Sequence, residues 1–170
     1  MKPKYWNKGI SHLSKKDLIL KKLIKTYKNE HLNLNYNYFH SLLNSIIGQQ
    51  ISVSAADSIK KKFFKLKKNI TPLSVLKLSK KDFRACGLSR QKILYIQNIS
   101  KFFLKNKKFI KNISNHSEVE IFDNLIQIKG VGKWTIHMFL MFSFGSPNIF
   151  PNGDLGFLKA ISKQYNIELP

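Results

Sequence analysis

Residues 128–135 read IKGVGKWT, with two glycines one residue apart between two lysines. Apolar residues lie on both sides at spacings typical of helices, Leu125, Ile126 and Ile128 before the glycines and Trp134, Ile136, Phe139, Leu140 and Phe142 after them. The pattern predicts two helices that meet at a glycine corner, residues 129–133.

The chemistry of this corner suits a phosphate group. Glycine at both outer positions, Gly130 and Gly132, permits positive φ and close approach of another backbone. The start of the second helix leaves N–H groups without intrahelical acceptors, and such groups bind anions. Lys129 and Lys133 add positive charge beside them.

A Gly-x-Gly corner alone is equally consistent with a tight packing turn. Two other phosphate-binding motifs are excluded. No strand pattern precedes the corner and no third glycine follows at the dinucleotide-binding spacing, while Trp134 stands where a P-loop requires Ser or Thr.

Two further stretches accompany the corner: residues 45–52 read SIIGQQIS and residues 151–155 read PNGDL. In order and spacing, from about Tyr36 to Lys163, the three stretches resemble the helix-hairpin-helix DNA glycosylase superfamily, and within it the 3-methyladenine DNA glycosylase II branch. The resemblance implies an all-α fold with two helical lobes around a DNA-binding cleft, in a single domain over residues 1–170. It implies a helical lobe at about residues 38–115, the hairpin and catalytic aspartate at about 117–165, and an N-terminal helix at about 14–27 that packs with the latter.

Helix signals continue along the chain without strand alternation, which independently predicts an all-α protein. The first predicted helix runs from Ser14, as N-cap with Asp17 three places on, to about Tyr27. A second runs from Tyr38 to Ile47 and stops at Gly48. Further start signals are Ser52 or Ser54, Thr71-Pro72, Ser79 with Asp82, Ser89, and Ser117 with Glu120.

Composition sets broad limits. A chain of 170 residues with 43% hydrophobic content is long enough for one core or two small lobes. Its net charge of +21 attracts polyanions and gives salt-dependent, sequence-independent affinity for nucleic acid. Abundant Lys, Asn and Ile are also expected from AT-rich codon usage, so charge alone leaves a merely solvated surface equally open.

Several classes of site are not expected. The single cysteine, Cys86, excludes an intramolecular disulfide and the iron–sulfur motif of the endonuclease III branch, and it is interpreted as a small buried hydrophobe. The histidines show no metal-ligand spacing, so we expect no zinc and no cofactor. No apolar run reaches membrane-spanning length and the N-terminus lacks a signal-peptide core. We therefore expect a cytosolic protein, nucleoid-associated if bacterial, without a membrane or an obligate protein partner.

Asp154 is the candidate catalytic residue. It precedes an apolar helical run, where an aspartate is commonly an N-cap, and the helix dipole stabilises a carboxylate there as the anion. Cleavage of an N-glycosidic bond gives the sugar oxocarbenium character, which an ionised carboxylate stabilises. From spacing alone, Asp154 could be only an N-cap residue. The resemblance implies the catalytic role.

The resemblance also implies a base pocket and a DNA-binding surface. Trp134 would line the pocket, since an electron-rich ring suits a base made cationic by alkylation, although core packing is the ordinary fate of a helical tryptophan. Met138 stands where some relatives have tyrosine and gives a softer wall. Gln49 and Gln50 would form a loop that fills the gap left by an extruded base, where an ordinary polar loop is the alternative. The implied DNA-binding residues are Gln49, Gln50, Lys129, Gly130, Val131, Gly132, Lys133 and Thr135, and a monovalent cation on the corner carbonyls, as in relatives, is left open.

Residue 134 further predicts the type of reaction. Family members that also cut the strand carry a lysine there as an amine nucleophile; here it is Trp134, and Lys133 projects about 100° away around the helix. We expect a monofunctional enzyme that flips alkylated purines such as 3-methyladenine out of double-stranded DNA and hydrolyses the N-glycosidic bond. Because the chain ends at Pro170, where relatives usually continue, a C-terminally shortened, inactive glycosylase is one alternative. A non-catalytic DNA-binding protein and, more remotely, a structural helical protein are the others.

Overall fold

The computed structural model describes residues 1–168, and within them the chain is helical with connecting turns and no strand, which confirms the all-α prediction. The α-helices are α1 (Trp6–Lys16), α2 (Leu18–Thr26), α3 (Tyr38–Gly48), α4 (Val53–Lys65), α5 (Pro72–Leu76), α6 (Lys80–Ala85), α7 (Arg90–Lys105), α8 (Lys107–Lys111), α9 (Glu118–Leu125), α10 (Lys133–Phe139) and α11 (Leu155–Tyr165). A 3₁₀ turn covers Ile113–Asn115, and a π-helical turn, Leu140–Phe144, extends α10. In this part of the chain, no helix is long and apolar enough to cross a lipid bilayer.

Side-chain caps start most of these helices, because a Ser, Thr, Asp or Asn oxygen satisfies a backbone N–H that the first turn leaves free. Reciprocal capping boxes form at Thr71, Ser79 and Ser117. Ser52 rather than Ser54 caps α4, and Ser89 caps α7. These predicted start signals are confirmed.

The predicted N-terminal helix was wrong in its start and its continuity. Ser14 lies inside α1, and the helix is interrupted at Asp17, whose backbone is extended with φ −143° and ψ 122°. The Asp17 carboxylate accepts a hydrogen bond from the Leu20 N–H at 2.8 Å. Asp17 is therefore itself the N-cap of a second helix, and two short helices replace the single one expected.

The hydrophobic core is built around α3. Its residues Leu42, Leu43, Ile46 and Ile47 are fully buried, and the helix packs against both α7 and α10. Cys86 belongs to the same core and is 2% exposed, as expected for a small apolar residue. Gln49, which follows the last residue of α3, contacts the carbonyl of Gly130 at 3.5 Å, so the C-terminal end of α3 lies beside the glycine corner.

The N-terminal segment lies against the C-terminal half of the chain. Tyr165 donates its hydroxyl hydrogen to Asp17 at 2.8 Å, and the backbone N–H of Asn35 donates to the carbonyl of Phe142 at 2.9 Å. These contacts support the predicted packing of the N-terminal helical region with the half that carries the hairpin.

The glycine corner needs only one positive φ, not the two that its composition permits. Gly130 has φ +104°, while Gly132 has φ −99°. A Cβ on Gly130 would lie 2.1 Å from Cγ of Tyr95, a ring carried by α7, whereas a Cβ on Gly132 would meet open space. Val131, between them, is 3% exposed and anchors the corner in the core. Gly130 is thus required by both backbone and packing.

Gly130→Ala is expected to lower the free energy of unfolding by about 2–5 kcal/mol, combining the cost of a left-handed residue with displacement of the Tyr95 ring. The measurement is urea denaturation followed by circular dichroism. Gly132→Ala is the matched control, for which we expect a loss below about 1 kcal/mol from weaker capping. Equal losses in the two variants would contradict the assignment of the constraint to Gly130.

Candidate functional site

A cleft of about 820 Å³ gathers the stretches that the sequence singled out. It is lined by the end of α3 with Gln49 and Gln50, by the glycine corner with Trp134, and by Gly153, Asp154 and Leu155 ahead of α11. The first turns of α7 supply the remaining wall through Ser89, Gln91, Lys92 and Tyr95. The corner and the candidate carboxylate therefore share one cleft.

A hydrogen bond joins the side chains of Trp134 and Asp154, and sequence analysis did not predict this contact. The indole Nε1 of Trp134 donates to Oδ2 of Asp154 at 2.9 Å. The other carboxylate oxygen, Oδ1, accepts from the backbone N–H of Phe157 at 2.9 Å, so Asp154 is also the N-cap of α11. The capping and catalytic interpretations of this residue are thus compatible.

These hydrogen bonds favour the ionised form of Asp154. Its pKa is lowered from the ordinary value, chiefly by the N–H of Phe157, then by the indole of Trp134, with a smaller contribution from the N–H of Gly156. Partial burial opposes the shift but is the weaker effect than the first two hydrogen bonds. The carboxyl group is therefore an anion at neutral pH while half-exposed to the cleft.

Trp134 also lines a second cavity of about 330 Å³. Met138 lines the second cavity with Trp134 and does not line the first, so the two predicted base-pocket residues share the second cavity. Its wall also contains Phe142 and the polar residues Asn33, Asn35, Ser41, Asn44, Ser45 and Lys60. Sequence analysis missed these residues, although Ser41, Asn44 and Ser45 form a polar stripe on the otherwise apolar α3, which was an available signal.

The predicted DNA-binding residues fall into exposed and buried groups. Lys129, Lys133 and Gln50 are exposed. Val131 and Thr135 are 3% and 1% exposed, so their side chains do not reach solvent. No side chain caps α10, which leaves the N–H groups of its first turn without a side-chain acceptor.

The side chain of Gln49 is hydrogen-bonded at the glycine corner. Its Nε2 donates to Oγ1 of Thr135 at 3.0 Å and makes a longer contact of 3.5 Å with the carbonyl of Gly130. Asn98 Nδ2 similarly donates to the carbonyl of Lys129 at 3.1 Å. The carbonyls of Gly130 and Lys129 therefore already accept side-chain hydrogen bonds. The monovalent-cation site on the corner carbonyls stays a prediction.

Gln50, the next residue, has φ +57°. With Gln49 at φ −57° and ψ 130°, this matches the two central positions of a type II turn, whose second position favours glycine or asparagine. A glutamine there costs about 1–2 kcal/mol of backbone strain. The tip of the loop is therefore held in a conformation it does not prefer.

Lys92 is a cleft residue that sequence analysis did not single out. Its spacing carries no local signal, because it is one of many lysines in a chain of net charge +21. Among residues 1–168, no group of three or more His, Cys, Asp and Glu side chains is placed to hold a metal ion.

Trp134→Phe is expected to raise the pKa of Asp154 towards its ordinary value, because the variant keeps the ring but loses the N–H that favours the anion. The measurement is a ¹³C NMR titration of the Asp154 carboxyl carbon. Trp6→Phe, at a tryptophan of α1 outside the cleft, is the control and should leave this pKa unchanged. An unchanged Asp154 pKa in Trp134→Phe would show that the indole bond does not influence the carboxyl group.

Comparison with known proteins supplies the family. The model of the HhH-GPD superfamily of base excision DNA repair proteins matches residues 43–169. A Saccharomyces cerevisiae DNA-3-methyladenine glycosylase is 30% identical over 75% of this chain and 46% of its own length. DNA-3-methyladenine glycosylase 1 of Schizosaccharomyces pombe is 30% identical over 85% of this chain and 66% of its own length.

The fold comparison agrees. The solved structure of the Schizosaccharomyces pombe 3-methyladenine DNA glycosylase in complex with abasic DNA superimposes with a TM-score of 0.83 at 26% identity, covering 96% of this chain and 83% of that one. The chain spans about half to two thirds of the length of the two curated relatives above. The resemblance inferred from the three sequence stretches is confirmed, and the chain belongs to the HhH-GPD superfamily of base excision DNA repair proteins.

Proposed function

We propose that the protein is a monofunctional DNA glycosylase that removes alkylated purines such as 3-methyladenine from double-stranded DNA during base-excision repair. The observation that carries the proposal is the hydrogen bond from Trp134 to Asp154 in a cleft that also contains the glycine corner. The relatives named as 3-methyladenine glycosylases support this substrate class. DNA would be met where the genome lies, in the cytoplasm, at the nucleoid of a bacterial cell.

In the proposed reaction, the target nucleotide leaves the base stack and its sugar lies beside Asp154. The bond between C1′ and the base nitrogen breaks, and its electron pair leaves with the base. The sugar gains oxocarbenium character, which the Asp154 carboxylate stabilises. Water then adds to C1′ and loses a proton, giving a free base and an abasic site.

The substrate chemistry explains why a single carboxylate suffices. A purine alkylated on a ring nitrogen is cationic and leaves as a neutral base, so no general acid is required. The face of Trp134 would stabilise the cationic base through stacking and cation–π attraction. Met138 and the polar residues of the second cavity would form the opposite wall of the base pocket.

The DNA backbone would lie across the glycine corner. The N–H groups at the start of α10 would bind a phosphate, and Lys129 and Lys133, both exposed, would contribute charge that makes the affinity salt-dependent. Gln50 would enter the gap left by the flipped base. Gln49 would act indirectly, by tying this loop to Thr135.

The absence of a strand-cutting step is also part of the proposal. The position of the lyase nucleophile is occupied by Trp134, and Lys133 follows a different direction on α10. Among the described residues, the amine that lines the cleft is Lys92, whose ammonium group is hydrogen-bonded to two backbone carbonyls. An ammonium held in this way is not a free amine nucleophile.

The wild-type protein is expected to release 3-methyladenine from methylated duplex DNA, as measured by chromatography of the released bases. Asp154→Asn keeps a polar group of similar size but loses the charge that opposes the oxocarbenium ion, so release should fall at least about 100-fold. Asp123→Asn removes a carboxylate from an exposed position on α9 and should retain full activity. If wild type and Asp154→Asn both bind duplex but release no base, the protein is a non-catalytic DNA-binding member of its family.

Borohydride reduction is expected to trap no covalent adduct between the wild-type protein and damaged duplex, because the hydrolytic pathway has no Schiff base. The measurement is denaturing gel electrophoresis of labelled DNA after incubation with borohydride. Trp134→Lys places an amine at the position that strand-cutting relatives use and serves as the comparison variant. A trapped wild-type adduct would overturn the monofunctional assignment.

A further inference from the structure

Lys92 links the middle of the chain to the loop after α3. Its Nζ donates at 2.8 Å to the carbonyl of Ile47 and at 2.8 Å to the carbonyl of Gln49. Ile47 belongs to the last turn of α3, whose carbonyls lack intrahelical donors, and a cation there also complements the helix dipole. Lys92 therefore caps the C-terminal end of α3 from another helix.

The loop that Lys92 reaches is the Gln50 turn, residues 48–51. Gln50 is exposed at its tip with φ +57°, a conformation that glutamine seldom adopts and that persists only where neighbouring contacts enforce it. Lys92 fixes the carbonyls on the N-terminal side of the tip. The Gln49 side chain fixes the same side to the corner through Thr135, and Ser52 caps α4 on the C-terminal side.

The ammonium group of Lys92 is largely occupied by these two hydrogen bonds. Two of its three N–H donors are used by the two carbonyls. Burial lowers the pKa of Lys92 below its ordinary value, which agrees with a position inside the wall of the cleft rather than on its rim. Lysines that meet phosphates as simple charges, such as those of the glycine corner, are exposed instead.

We propose that Lys92 is a positioning residue for base extrusion, which holds the Gln50 turn in the shape that enters the duplex. This inference rests on the proposed glycosylase function and adds to it a residue that acts before bond cleavage. A flexible tip would relax out of its left-handed conformation instead of holding the gap open in the base stack. Lys92 would therefore matter in proportion to the energy needed to extrude the base.

Single-turnover excision from two duplexes tests this proposal. In one duplex, 3-methyladenine lies opposite thymine; in the other, it lies opposite an abasic-site analogue, where less pairing must be broken. Lys92→Met is expected to lower the rate on the paired lesion by about tenfold or more, which corresponds to an increase of about 1.4 kcal/mol or more in activation free energy. The rate on the unpaired lesion should stay within about twofold of wild type. Lys92→Arg, which keeps the charge and several donors, should recover most of the loss.

Two comparison variants separate this role from charge and from chemistry. Lys101→Met removes an equal charge from an exposed position on the same helix and should behave as wild type on both duplexes. Asp154→Asn should lose activity on both duplexes, because it acts on bond cleavage. Equal loss on both substrates in Lys92→Met, or no loss on either, would overturn the positioning role.

A second readout does not depend on base release. A duplex with 2-aminopurine next to the target nucleotide becomes more fluorescent when the stack is opened, and wild type and Lys101→Met should produce this increase on binding. Lys92→Met should bind the duplex, remain folded by circular dichroism and produce less than half of the increase. If wild type opens the stack but releases no base, the enzyme assignment fails while the role of Lys92 is still decided by this comparison; equal fluorescence in Lys92→Met and wild type would overturn that role.

Discussion

The ring of Tyr95 fills the space in which any side chain at residue 130 would lie, and this close contact positions the glycine corner on α7. The direction of α10 follows from the corner, because the helix begins three residues later at Lys133. That direction places Trp134 in the walls of two cavities and within hydrogen-bond distance of Asp154. The geometry of the proposed catalytic carboxylate thus depends on one glycine and one aromatic ring.

Helix α7 supports both loops of the cleft from a single face. Lys92, Tyr95 and Asn98 are spaced three residues apart, so they project from neighbouring positions of the helix. Lys92 binds the carbonyl of Gln49 in the Gln50 turn, Tyr95 covers Gly130, and Asn98 binds the carbonyl of Lys129. Since one rigid element carries all three contacts, the two loops keep a fixed separation, which a duplex gripped by both would require.

The sequence was informative wherever the determinant is local. Capping pairs such as Ser79 with Asp82 predicted the all-α fold, and the order of the three motifs predicted the family, while the catalytic role of Asp154 stays a prediction. The break between α1 and α2 was missed because Ser14, three places before Asp17, also matches a helix-start pattern. Whether Ser14 or Asp17 caps a helix depends on tertiary contacts such as the hydrogen bond from Tyr165 to Asp17. The hydrogen bonds of Lys92 to the loop after α3, and that of Gln49 to Thr135, join residues 43 to 86 apart in the chain. Sequence spacing does not reveal contacts of this kind.

The electrostatics of Asp154 differ from those of an ordinary buried acid. In the part of the chain that the structure describes, an ion pair joins Lys60 to Asp57 and His116 lies 3.6 Å from Glu120, and neither contact involves Asp154. Its anion is favoured instead by neutral donors, the N–H groups of Phe157 and Trp134. Neutral donors lower the pKa without placing a compensating positive charge in the cleft. A protein of net charge +21 can therefore attract polyanions while Asp154 has no ion-pair partner, which would leave its carboxylate available to the cation of the proposed reaction.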